Sequence, residues 1–362
     1  MPFHNRLKQL SQLGQSVWLD YIQRSLIGSG ELKRLISEDG LCGMTSNPAI
    51  FEKAIAGSAD YEDFLDSFKG KNLGPEPVYE RLAVRDIQDA ADALKPVYDE
   101  TRRRDGYVSL EVSPFLARDI QGTIAEAHRL CKDVARPNLM IKVPGTMEGV
   151  PAIGQLIADG INVNVTLLFS QEIYEKVAWA YIVGLEQRSN RKQDIAAIAS
   201  VASFFVSRID SALDAKLPEN LRGKTAIANA KLAYERYKKI IDSIRWRAMA
   251  QRGAMPQRLL WASTSVKNPS YRDVLYVEEL VGADTVNTIA PATLDAFRDH
   301  GRPRLSLEEN LDQARETMKA VEKHGISMDT VTDDLLNDAV RLFEEPFARL
   351  MAAIAKKIQH VP

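Results

Sequence analysis

A lysine set inside an apolar run constrains this chain more than any other feature. Residues 138–149 read Asn-Leu-Met-Ile-Lys-Val-Pro-Gly-Thr-Met-Glu-Gly, so Leu139, Met140, Ile141 and Val143 surround Lys142. A short apolar run closed by Pro144-Gly145 and followed by helix-permissive residues reads as a buried parallel strand turning into a helix. Burial disfavours an ammonium group and pulls a lysine pKa down from its usual value of about 10.4. Such a lysine escapes to solvent, pairs with a carboxylate, or serves as a nucleophilic amine. The remainder of the chain decides among these.

Short β-rich runs recur along the sequence, at residues 16–20, 41–45, 107–112, 139–143, 161–168, 198–206, 259–263 and 285–289. Helical patterns fall between and after them, at residues 31–38, 49–69, 71–105, 118–134, 146–159, 171–188, 225–251, 271–280 and 306–359. Alternation without a second sheet pattern predicts a parallel α/β arrangement, and eight units in one run favour a closed (β/α)8 TIM barrel over an open sheet. The expected organisation is a single domain over 1–362, with a barrel core at about 16–300. Extra helices are expected in an insertion between the second and third strands, about 52–105, and at the C-terminus, about 305–360. Reactive side chains of such barrels sit at the carboxyl ends of the strands. Asp20, Asn47, Glu111, Lys142, Asn164 or Thr166, Ser203 and Ser263 all fall at or near such ends, each from a different strand, and would converge on one mouth.

Several function classes are disfavoured. The net charge of −2 offers no basic footprint for nucleic acid. Two cysteines, Cys42 and Cys131, make neither a disulfide framework nor a zinc spacing, as expected for a reducing interior. The opening residues carry charge without an apolar core, and the longest apolar run, 195–206, is broken by Ser200 and Ser203 and too short for a bilayer. A cytoplasmic protein without a membrane partner is the expectation. Gly28-Ser29-Gly30 is followed by Lys33 where a dinucleotide fingerprint needs glycine, and Gly145 and Gly149 precede no Gly-Lys-Ser/Thr. His4, His128, His300, His324 and His360 are scattered away from strand ends, which argues against a metal site and a Ser-His pair. No cofactor is expected. The glycosylation triplet Asn164-Val165-Thr166 lies in a buried strand and is accidental.

One lysine among carboxylates and amides remains. A neutral lysine attacks a ketone to form an imine, whose protonated form withdraws electrons and lets an adjacent C–C bond break. Asp20 or Glu111 can shuttle the hydroxyl proton, and Asn47 and Asn164 can bind sugar hydroxyls. Arg208 and Lys267, past the sixth and seventh strands, are placed for a phosphate. Each has a plainer alternative: a salt-bridged helix arginine for Arg208, a barrel-interior amide for Asn164, a helix cap for Asp20.

The segments Met44-Thr45-Ser46-Asn47-Pro48, Leu110-Glu111-Val112-Ser113-Pro114-Phe115, Ile141-Lys142-Val143-Pro144-Gly145-Thr146 and residues 162–170 resemble, in order, the successive signatures of transaldolases. The resemblance extends to Thr288-Ile289-Ala290-Pro291. Length and the long insertion look like the longer bacterial branch, similar to the transaldolase half of transaldolase–phosphoglucose isomerase fusions. It implies a Schiff-base lysine (Lys142), an acid–base aspartate (Asp20), and a glutamate (Glu111) working with a water held by Thr166. It also implies substrate hydroxyl and imine contacts from Asn47 and Asn164, a sixth-strand serine (Ser203) and a phosphate arginine (Arg208); Phe205, Ser263 and Lys267 complete the expected substrate-binding set. The implied reaction transfers a dihydroxyacetone unit from fructose 6-phosphate or sedoheptulose 7-phosphate to an aldose phosphate, within the non-oxidative pentose phosphate pathway, without metal or cofactor.

This chain departs from the family pattern in places. Ser46 replaces a repeated threonine, and Lys267 stands in a segment, 262–268, where a shorter pattern uses arginine for phosphate. Lysine keeps the charge but loses the bidentate fork. Phe205 occupies the place where the related fructose 6-phosphate aldolases look to carry tyrosine, and a phenyl ring cannot orient a protonating water. That favours transfer over aldolase-like cleavage. The other alternative is a non-catalytic phosphosugar-binding barrel, or a domain that pairs with an isomerase. The pattern does not specify an oligomeric state.

Overall fold

In the computed structural model residues 5–359 are described; His4 and His360 lie outside the described residues. Eight strands form one closed parallel barrel in sequence order. They are β1 (Gln15–Asp20), β2 (Gly43–Thr45), β3 (Tyr107–Glu111), β4 (Leu139–Pro144), β5 (Val163–Leu168), β6 (Ser200–Phe205), β7 (Arg258–Ala262) and β8 (Thr285–Ile289). Closure comes from β8 pairing back on β1, with Gln15 opposite Thr285. Every residue of β2 to β8 is buried. That is why these strands read as near-continuous apolar runs: one face meets the helices and the other fills the barrel.

Two details set the level of the mouth. Lys142 is in register with Glu111 on one side and Asn164 on the other, so adjacent strands present these three side chains together. Just past β4, the Gly145 N–H donates to the Thr166 carbonyl at 2.7 Å. A Cβ on Gly145 would lie 2.4 Å from a Leu168 methyl, so only glycine permits that approach. Across from it β5 shifts register between Val165 and Leu168, and Leu167 takes a left-handed φ of 60°. An irregularity of this kind re-aims neighbouring side chains at a barrel rim.

The amino-terminal end is closed by a buried polar plug. Arg258 donates from Nη2 to Asp105 Oδ1 at 2.9 Å and from Nη1 to Ser16 Oγ at 2.7 Å, while Trp18 Nε1 donates to Asp105 Oδ1 at 3.1 Å.

The helices depart from expectation mainly at breaks. The expected helix at 49–69 is Pro48–Gly57 and Glu62–Asp66, interrupted at Ser58, whose Oγ accepts from Asp60 N. The region 71–105 is one helix, Pro75–Glu100. The stretch 225–251 splits into Thr225–Ile241 and Ile244–Ala250 because Ser243 caps the second piece, accepting from Trp246 N at 3.2 Å. The helix at 271–280 shrinks to Leu275–Glu279. Residues 306–359 carry two helices, Leu311–Lys323 and Met328–Gln359, separated at Gly325 with φ 77°. Helices Ser207–Leu213 and Pro291–His300 complete the barrel's outer layer and were not anticipated. Among the described residues no helix is long and apolar enough to cross a membrane.

Candidate active site

Strand ends and the loops after them enclose a cavity of about 210 Å³ at the carboxyl mouth. Asp20, Asn47, Lys142, Thr166, Ser203, Phe205, Arg208, Ser263 and Lys267 all line it. Glu111 and Asn164 do not, and lie buried beside it.

Lys142 is 4% exposed. Its Nζ donates to the Ser46 carbonyl at 3.0 Å and lies 3.3 Å from Glu111 Oε2. The second contact has ion-pair distance without hydrogen-bond alignment: both Glu111 oxygens, and Thr166 Oγ1, have no hydrogen-bond partner among the described residues. Burial pushes the Glu111 carboxyl up to about 7; Lys142 opposes this and Asp20 adds to it. Glu111 also faces a small chamber of about 20 Å³ shared with Tyr79 and Glu126, room for one water molecule.

Asp20 ends β1 and is half-buried. Thr45 Oγ1 donates to Asp20 Oδ1 at 2.7 Å and lies 2.7 Å from Thr288 Oγ1. Burial raises the Asp20 pKa, while Lys142, the Thr45 hydrogen bond and Lys267 pull it back. The plainer reading of Asp20 as a helix cap fails: Gln23 precedes the next helix, Arg24–Gly28.

Asn47 does cap a helix, its Oδ1 accepting from Ile50 N at 3.0 Å, which keeps its amide Nδ2 for the cavity. Asn164, expected to contact sugar hydroxyls or the imine, has part of its amide engaged inside the barrel. Ser203 Oγ donates to its Oδ1 at 2.7 Å, and its Nδ2 donates to Ser109 Oγ at 2.9 Å. One Nδ2 hydrogen is left, and Ser203 serves first to fix this amide.

Arg208 begins the helix Ser207–Leu213, and its guanidinium carbon lies 5.6 Å from the centre of the Phe205 ring. Phe205 in turn stands edge-on to Phe169 at 5.3 Å. Burial lowers the Arg208 pKa and Asp338 opposes that. Among the described residues neither Arg208 nor Lys267 has a carboxylate within 4.0 Å, so the salt-bridged alternative for Arg208 fails. Ser263, just past β7 with φ 56°, has its Oγ 3.0 Å from Ser207 Oγ. The two cations thus share one cavity with Asp20 and the Lys142 amine. The arrangement suits an anionic sugar with a reactive carbonyl. Among the described residues no group of three His, Cys, Asp or Glu is placed to hold a metal ion.

Sequence reasoning missed Thr45, Thr288, Ser109, Ser265 and Phe343. The threonines were findable, since both stand at strand ends. Phe343 was not, because it comes from the C-terminal helix.

A family model described as transaldolase/fructose-6-phosphate aldolase matches residues 17–354. The chain is 48% identical to a transaldolase of Trichodesmium erythraeum over 372 aligned residues, covering 98% of each chain. It is 49% identical to a protein named transaldolase 2 of Nostoc punctiforme, again over 98% of each. With a transaldolase of Neisseria gonorrhoeae identity is 47%, over 96% of this chain and 99% of that one. Full-length similarity of this extent, on an eight-stranded parallel barrel, shows that the chain belongs to the transaldolase/fructose-6-phosphate aldolase family and is an enzyme, a transaldolase.

Proposed function

We propose that Lys142 is the amine through which this transaldolase captures its ketose phosphate. The observation that carries the reading is the placement of the buried Lys142 amine 3.3 Å from Glu111, in one cavity with Asp20, Arg208 and Lys267. The amine adds to the ketose carbonyl, and loss of water gives the imine. Glu111 and Thr166, whose buried oxygens face the reaction without protein partners, hold and polarise the water that enters and leaves. Asp20, with its pKa raised by burial, takes the proton of the neighbouring hydroxyl as the C–C bond breaks. The electron pair passes into the protonated imine, the shortened sugar leaves as an aldose phosphate, and a dihydroxyacetone enamine stays on Lys142. An aldose phosphate then accepts that carbon, Asp20 returns the proton, and water frees the amine.

Arg208 and Lys267 fix the phosphate of donor and acceptor, and Asn47 and Ser263 contact hydroxyls. The substrates are fructose 6-phosphate or sedoheptulose 7-phosphate with erythrose 4-phosphate or glyceraldehyde 3-phosphate. We read the setting as cytoplasmic, where the free thiols of Cys42 and Cys131 stay reduced. Nucleic acid is not a partner in this reading. The whole chain, 1–362, acts as one unit, and a single unfolding transition is expected. The test is incubation with fructose 6-phosphate and erythrose 4-phosphate, following glyceraldehyde 3-phosphate. Steady product supports the reading. Rapid release of free dihydroxyacetone without acceptor would favour aldolase-like cleavage, against which the hydroxyl-free Phe205 ring argues.

A further inference from the structure

The reacting amine has a neighbour from outside the barrel. Phe343, on the helix Met328–Gln359, lines the active-site cavity with its ring centre 5.5 Å from Lys142 Nζ. Every other lining residue belongs to a barrel strand or to the segment directly following one. Below the amine are polar groups, the Ser46 carbonyl and Glu111; Phe343 brings apolar surface to the same nitrogen.

The helix is held in place on several sides. One turn after Phe343, the Phe347 ring stands edge-on to Tyr79 at 5.3 Å and to Phe115 at 5.8 Å. Arg349 pairs with Glu52 through two hydrogen bonds, of 2.6 and 3.0 Å, and Arg118 donates to Asn337 at 2.6 Å. The spacing of four residues puts Phe343 and Phe347 on one helix face, so anchoring Phe347 aims Phe343 at the mouth. Pro346 lies between them and is buried within the same helix.

We propose that Phe343 is a specificity-determining positioning residue that keeps water from the enamine held on Lys142, and so commits the three-carbon unit to an aldose acceptor. Loss of that unit as free dihydroxyacetone needs a proton on the nucleophilic carbon and one water added across the C=N bond, with the amine returned to Lys142. Imine hydrolysis also ends the transfer route, so protonation of the carbon, which draws on water in the cavity, sets the partition between release and transfer. An apolar ring 5.5 Å from the nitrogen lowers that supply while leaving the rest of the cavity to the aldehyde.

The inference rests on Lys142 being the Schiff-base residue. The experiment therefore measures three quantities for the full-length wild type, Phe343→Ala and Phe343→Leu. They are borohydride-trapped mass at Lys142 with fructose 6-phosphate, free dihydroxyacetone released without acceptor, and transfer to erythrose 4-phosphate. A several-fold rise in the release-to-transfer ratio for Phe343→Ala, largely reversed in Phe343→Leu, is expected. An unchanged ratio in Phe343→Ala, with the Lys142 adduct still forming, overturns the inference alone. An equal rise in both variants also overturns it, because leucine restores the apolar cover. Absence of the adduct from wild-type Lys142 sinks this inference together with the reading beneath it. If Phe343→Ala loses its thermal unfolding transition, Phe343→Val takes its place with the same expected and contrary outcomes.

Discussion

Lys142 Nζ stands 3.3 Å from Glu111 Oε2, with the two residues in register on adjacent strands and both almost fully buried. Burial is the largest influence on the glutamate and carries its pKa from 4.5 to about 7. Glu111 therefore changes protonation near neutral pH.

If its ionised form is the working base in imine formation, kcat/KM for fructose 6-phosphate rises with pH through about 7. Glu111→Gln is expected to lose that limb. The same raised pKa has a stability consequence. Its contribution is fully present below pH 4.5 and is lost as pH rises through about 7, so the melting temperature of Glu111→Gln should gain on wild type over that window. A limb that survives in Glu111→Gln contradicts the assignment.

Asp20 is held by Thr45, itself paired with Thr288. Asp20→Asn keeps the shape and the hydrogen bond but removes proton transfer. A loss in kcat on the order of 10²–10⁴-fold is expected, with little change in KM. Steady-state kinetics check this, and a raised KM with unchanged kcat would contradict it.

Arg208 and Lys267 stand at the mouth without carboxylate partners among the described residues. A hydrogen bond to a charged group contributes about 1.5–3 kcal/mol, so Arg208→Ala should raise KM for fructose 6-phosphate by roughly 10- to 100-fold. Lys267→Ala should act less, since lysine is a point charge without Arg's fork. Unphosphorylated fructose, tested as donor, should show no such dependence on Arg208. Equal effects on both sugars would mean that Arg208 does not bind phosphate.

At the opposite end, Asp105 and Arg258 form a buried pair tied to Ser16 and Trp18. Removing one partner leaves an uncompensated buried charge, so Asp105→Ala should cost about 3–5 kcal/mol. Denaturant unfolding measures this, and turnover at low temperature should change little because the plug is remote from the mouth. An unshifted unfolding midpoint would contradict it.

The barrel and its floor were legible because both depend on local sequence. Strands buried on two faces read as apolar runs, and a lysine inside one of them stands out. The rule that reactive groups collect at strand ends singles out Asp20, Glu111 and Asn164 or Thr166, and of these Asp20 and Thr166 line the cavity. What tertiary contacts decide was not legible. The helical pattern continues past Ser243 through Trp246, so periodicity alone does not show the cap that breaks it. Asn164 reads in sequence as either a substrate contact or a barrel-interior amide; only the barrel brings Ser109 and Ser203 against it. Phe343 reads as an ordinary core residue of an amphipathic helix, like Phe347, until the helix is laid over the mouth.

In this mechanism one buried amine bonds covalently to the sugar. The most direct test treats wild type and Lys142→Ala with fructose 6-phosphate and borohydride, then maps the added mass by peptide mass spectrometry and assays turnover. A sugar-derived mass is expected on the Lys142 peptide of the wild type, with none in Lys142→Ala and no transfer by that variant. Full turnover by Lys142→Ala, or an adduct on another lysine, would contradict it.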